Sequence, residues 1–154
     1  MQDRFLPDFL GCVSKDGRMA RAVERLWREE LEAVSVYLYR EVLLLEAETA
    51  LSELFEELAR EAAYHFRILG GLLSALGSDL SLRTQIRLQC GMPKGDESRR
   101  SQNLLYDSLR EKRRLCALYR SVIEGCADGV VRAVLSCFLE DHEGSEERIN
   151  RFFG

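Results

Sequence analysis

Glu57-Leu58-Ala59-Arg60-Glu61-Ala62-Ala63-Tyr64-His65-Phe66-Arg67-Ile68-Leu69, running on to Leu76-Gly77, is the stretch whose reading decides the fold. Together with Leu51 and Leu54 ahead of it, Leu58, Ala62, His65, Leu69, Leu72 and Leu76 recur at steps of three and four, the spacing of one face of an α-helix turned to a core. Gly77 stops the pattern as a C-terminal cap. Upstream, Val23, Leu26, Trp27, Val34, Tyr37 and Leu44 make a second stripe from Arg18 to about Glu46. Almost no linker separates the two, so they predict a tight antiparallel hairpin. Downstream, residues 77–102 are broken by Gly77, Gly91, Pro93 and Gly95, with a nearly all-polar tract from Lys94 to Arg100; this reads as a connection. A third stripe then follows, Leu104, Ser108, Glu111, Leu115, Leu118 and Val122, ending near Gly125. A fourth begins after Asp128-Gly129 with Val131, Leu135, Phe138, His142, Ser145, Ile149 and Phe152. The expectation is an all-α four-helix bundle over residues 18–154, preceded by an N-terminal segment, 1–17. Two antiparallel hairpins are joined by a long crossover, 77–102, between helices two and three, which then run parallel.

Composition agrees with this reading and removes several function classes. The chain has 154 residues, 46% of them hydrophobic and 31% charged, with two prolines. That suits one domain of long, solvated helices that folds without a staple. The net charge of −4 arises from interspersed acids and bases. No basic stripe offers an electrostatic footprint for nucleic acid. No apolar run approaches the roughly 20 residues of a membrane span, so a cytoplasmic, soluble protein is expected. The five cysteines, Cys12, Cys90, Cys116, Cys126 and Cys137, form no Cys-x-x-Cys pair and read as reduced thiols.

Each stripe also carries polar residues where periodicity predicts burial: Glu30, His65, Glu111, then His142 and Ser145. A carboxylate or imidazole inside a bundle is costly, and is therefore paired, protonated or metal-bound. Residues equidistant from a hairpin turn lie side by side. With the first turn near residue 48, Glu30 precedes it by about 18 residues and His65 follows by about 17. With the second near residue 127, Glu111 lies about 16 before and His142 about 15 after. Glu30, His65, Glu111 and His142 are thus the candidate metal ligands, a donor set that suits iron, manganese or zinc.

Glu30-Leu31-Glu32-Ala33-Val34-Ser35-Val36-Tyr37 resembles the first-helix segment of the ferritin-like carboxylate superfamily, which includes bacterioferritins, rubrerythrins and manganese catalases. The second-helix stretch is similar to that family's Glu-x-x-His helix, with His65 at the histidine position. Arg110-Glu111-Lys112 falls on the third-helix glutamate, and Phe138-Leu139-Glu140-Asp141-His142 looks like the approach to the second Glu-x-x-His. The resemblance spans roughly residues 18–153 and implies a ferritin-like bundle, with a homodimer by analogy. Its departures are specific. Where the family has metal-bridging glutamates, this chain has Ala62 and His142. Ser145 stands at the second histidine position, and Leu118 occupies the place of a helix-three tyrosine, with Tyr119 following it.

Without shared anionic ligands to offset the repulsion of two close metals, ferroxidase or catalase chemistry has no scaffold here. The expectation is a reduced, single-ion site of Glu30, His65, Glu111 and His142. The alternative is a vestigial bundle without metal that serves as a structural or interaction module. Glu61 and Glu146, beside the altered positions, are expected to form solvated salt bridges rather than replace the missing ligands. A storage cage is the least supported reading, since no feature of the chain predicts high-order assembly.

Overall fold

The Asp16 carboxylate accepts hydrogen bonds from the backbone N–H groups of Arg18 and Met19 at 3.1 and 3.2 Å, closing the start of a helix that spans Gly17–Leu44 (α1). A computed structural model describes residues 7–82 and 97–153. A short 3-10 helix, Pro7–Cys12, precedes α1. The chain then reverses within a few residues into Thr49–Ala75 (α2), and the Ser52 hydroxyl ties the hairpin by donating to the Glu41 carbonyl at 3.1 Å. At the far end, Ser78 N–H reaches Leu73 O at 2.9 Å and Gly77 N–H reaches Ser74 O at 3.1 Å, a Schellman closure. Gly77 adopts the left-handed backbone this requires, with φ +94°.

The second pair consists of Glu97–Glu124 (α3) and Gly129–Arg151 (α4). Asp128 caps α4, accepting from Val130 and Val131 N–H at 2.8 and 3.0 Å. Helix α3 starts about a turn and a half before the expected end of the 77–102 connection. The polar composition of Arg99, Arg100 and Ser101 resembles a loop, yet Arg99 is exposed on the helix and Ser101 is buried, donating to Glu48. The centre of the expected connection, with Gly91, Pro93, Gly95 and Cys90, lies outside the described residues.

Contacts between helices fix their directions. Along α1, Glu29, Glu30 and Arg40 meet Arg114, Tyr119 and Ser108 of α3, so these helices run in opposite senses. Along α2, Glu57, Glu61 and His65 meet Arg148, Ser145 and Asp141 of α4, again in reverse order. With α1 and α2 antiparallel, α2 and α3 run the same way, as expected.

The interior is layered along the bundle axis. One apolar cluster takes Val23, Leu26 and Trp27 from α1, Leu69 and Leu72 from α2, Leu115 and Val122 from α3, and Val131 and Phe138 from α4. The other takes Tyr37 and Leu44, Leu51 and Leu58, Leu104 and Leu109, and Ile149. Between them, at the level of residues 30, 61–65, 112 and 142–145, lies a buried polar layer. Each helix supplies it from the middle of its length. Packing on both sides excludes water, so its groups must satisfy one another or hold something. Among the described cysteines, Cys116 and Cys126 are buried, Cys137 half-buried and Cys12 exposed, and all four are free thiols. No helix among the described residues is long and apolar enough to cross a membrane.

Candidate metal centre

Glu30 is fully buried at the middle of α1, and its Oε1 is the hub of the polar layer. Nε2 of His142 stands 2.6 Å from it, the Tyr119 hydroxyl donates to it at 2.6 Å, and Nδ1 of His65 lies 3.2 Å away. Among the described residues, Glu30, His65 and His142 offer ligand atoms that all lie within 4.8 Å of one another. The pairing of Glu30 with His65 follows the hairpin arithmetic.

Two atoms of this group lack a hydrogen-bond partner: Oε2 of Glu30 and Nδ1 of His65. The 3.2 Å approach of His65 to Glu30 is therefore an ion-pair contact without hydrogen-bond alignment. On its other side, His65 Nε2 lies 3.0 Å from Oδ2 of Asp141. A carboxylate behind one ring nitrogen, with the other nitrogen unpartnered and facing a second carboxylate, is the arrangement that orients a ligand histidine.

Glu111 stands elsewhere. Arg40 binds its two oxygens in a bidentate pair at 2.7 and 2.8 Å and also donates to the Ser108 hydroxyl at 2.7 Å, leaving the Glu111 side chain 38% exposed. The expected ligand position on α3 is instead filled by Lys112, which is 1% exposed and places Nζ 3.0 Å from Nδ1 of His142. From Ser108 a helical face advances equally well by three or four residues. The chain takes the four-residue step, through Lys112, then Leu115 and Tyr119, rather than Glu111 and Leu118. Two features could have chosen between them: Tyr119, whose hydroxyl suits a polar layer, and the hairpin arithmetic, since Lys112 lies about 15 residues before the turn and matches His142 more closely than Glu111 does. A lysine is rarely assigned to a core, which hid it. The tyrosine that looked displaced therefore does face the interior.

Glu61 also departs from expectation. It is buried rather than solvated, with Oε1 accepting from the Ser145 hydroxyl at 2.5 Å and Oε2 from Arg148 at 3.1 Å. Its α4 partners draw it inward despite its place beside the stripe. Glu146 does form a surface pair, with Arg113 at 2.8 Å. Ala62 is buried and brings no carboxylate to the layer.

The electrostatics distinguish the two histidines. Burial would lower the pKa of His65, but the Glu30 charge and the Asp141 hydrogen bond outweigh it and raise it to about 9. Burial lowers that of His142, and Lys112 adds to the effect against the pull of Glu30. Burial alone would raise the Glu30 carboxyl; the imidazoles of His142 and His65 instead hold it well below the ordinary carboxylate range. Tyr119 is pushed well up by burial and by Glu30, so it remains a phenol and a donor. The Lys112 ammonium is favoured by Tyr37, Glu61 and Glu30 in spite of its burial. Without an ion, the layer thus carries an ionised Glu30, a protonated His65 and a neutral His142.

No family model matches this sequence, and no curated protein does.

Proposed function

We propose that this chain is a ferritin-like bundle that binds one divalent transition-metal ion, iron, manganese or zinc, at the carboxylate of Glu30. The observation that carries this reading is the pair of unpartnered buried atoms, Glu30 Oε2 and His65 Nδ1, in a group whose ligand atoms lie within 4.8 Å of one another. Buried polar groups without partners are rare, and here both are metal-ligand atoms. Oxygen and imidazole nitrogen together suit these three metals. Glu30 and His65 would hold the ion. Asp141 would keep the His65 ring oriented, and Tyr119 would anchor the carboxylate through the oxygen it already bonds. An ion there would supply Lewis acidity in a water-poor interior.

Two-metal oxygen or peroxide chemistry is not part of this reading. Ala62 offers no ligand, and both oxygens of Glu61 are engaged by Ser145 and Arg148. Self-association as a homodimer belongs to the proposal and is read by sedimentation velocity. For the metal itself, the chain is purified without chelators and its content measured beside Glu30→Ala and His65→Ala. About one ion per chain in the native protein, lost in both variants, is the expected result; a content near zero after incubation with each metal rules the reading out.

A second reading rests on a different observation. The charges in and beside the layer can balance without any ion: Glu30, Glu61 and the half-buried Asp141 against His65, Lys112 and the half-buried Arg148. On that reading the layer is a vestigial polar core, and the bundle is a structural or interaction module.

A further inference from the structure

The two histidines of the polar layer have opposite partners behind them. Behind His65 stands the Asp141 carboxylate, an acceptor; behind His142 stands the Lys112 ammonium, 3.0 Å from Nδ1. An ammonium has three N–H donors and no lone pair, so a nitrogen that it contacts at this distance must be bare. The single proton of a neutral His142 ring then sits on Nε2, where Oε1 of Glu30 receives it at 2.6 Å. The other tautomer would set N–H against ammonium at one end and lone pair against carboxylate at the other. For Nε2 of His142 to ligate a metal, its proton would have to move to Nδ1, against the ammonium; His65 can give up its Nδ1 proton to an incoming ion while Asp141 still accepts from Nε2.

We propose that Lys112 is a positioning residue that fixes His142 as a hydrogen-bond donor to Glu30, so that an ion held by Glu30 and His65 gains no ligand from His142. The inference rests on the metal-binding reading only for the ion itself; the donor assignment follows from the hydrogen-bond geometry together with the positive charge of Lys112. Lys112 is well placed to enforce it. Its side chain is 1% exposed, and its Nζ lies 5.2 Å from the centroid of the Tyr37 ring, so it cannot swing into solvent without opening the core. The same fixed positive charge opposes a second cation on the His142 side of the layer, which limits the centre to one ion. His142 thus looks like a ligand by residue type and by distance, yet the group behind it assigns it another role.

The test has a metal arm and a metal-free arm. In the first, the full chain is titrated with Co²⁺ alone, and affinity and visible absorption are followed in the native protein, His142→Ala, Lys112→Gln and the double variant. His142→Ala in the native background should leave the position and intensity of the Co²⁺ bands unchanged, since no ligand is lost, even as the lost hydrogen bond to Glu30 weakens binding. Lys112→Gln, whose amide oxygen can accept from Nδ1, should tighten binding by about tenfold, and His142→Ala in that background should abolish the gain. Co²⁺ bands that shift or weaken in molar intensity in His142→Ala alone, or no gain from Lys112→Gln, overturn the proposal.

In the metal-free arm, ¹⁵N NMR of the imidazoles is straightforward because the chain has only 2 histidines. His142 should show a protonated Nε2 and a bare Nδ1, and in Lys112→Gln its Nδ1 should take up a proton at a higher pH than in the native chain. A protonated Nδ1 in the native protein, or an unmoved titration in the variant, overturns the proposal whether or not metal binds. If Co²⁺ binds no form of the protein, the metal-binding reading fails, and the nitrogen shifts still decide the role of Lys112.

Discussion

Glu30 concentrates more of the molecule's polar energetics than any other residue of the layer, because one oxygen serves Tyr119, His142 and His65 together. Removing it strands two donors and a charged imidazole in a dry interior. Glu30→Ala should therefore lower unfolding free energy by about 3–5 kcal/mol, read from urea denaturation at neutral pH. The two histidines should oppose each other in the pH dependence. The folded pKa of His65, about 9, lies above its unfolded value, so its contribution is fully present below the unfolded value and is lost as pH rises through about 9. His142 has a depressed folded pKa, so it costs stability as pH falls below its unfolded value. In metal-free protein the urea midpoint should fall between pH 7 and pH 10, and His65→Ala should flatten that fall. A midpoint that rises over this range would show that His65 is not the charged partner of Glu30.

Helix ends and helix register carry the next level of argument. Asp128 holds two backbone N–H groups at the start of α4, and Asp128→Ala should cost about 1 kcal/mol in the same urea measurement. Gly77 closes α2 in a backbone region that an alanine enters only with strain, so Gly77→Ala should cost about 1–2 kcal/mol. Both helix ends were legible from residue type, since an aspartate before an apolar run and a glycine after one have local physical causes. The register of α3 was not. At 100° per residue, Ser108, Glu111 and Leu118 fall within about 80° of one another and Ser108, Lys112 and Tyr119 within about 40°, so either set fits one buried face, and composition argued for burying leucine and exposing lysine. Glu30 and Glu61 attract Lys112 inward from other helices, an interaction that no window along α3 contains.

At the scale of the whole molecule, a metal that binds only the folded bundle must stabilise it. One hundred times the dissociation constant of free ion adds about 2.7 kcal/mol, which for a chain of this size raises Tm by roughly 5–10 °C. Iron, manganese or zinc should produce that shift in the native protein and not in His65→Ala. A Tm unmoved by all three would favour the vestigial core, whose charges already balance. The sequence by itself determined four amphipathic helices, their pairing into two hairpins and the level at which Glu30 meets His65, because periodicity, caps and equal distance from a turn act within one helix or one hairpin. Only the tertiary structure decided which polar groups share the central layer. Arg40 draws Glu111 outward, Ser145 and Arg148 draw Glu61 inward, and Lys112 and Asp141 stand behind the two imidazoles. The reason is physical: the role of a buried ionisable group depends on the charge and hydrogen-bonding capacity of what faces it, and each of these partners arrives from a different helix.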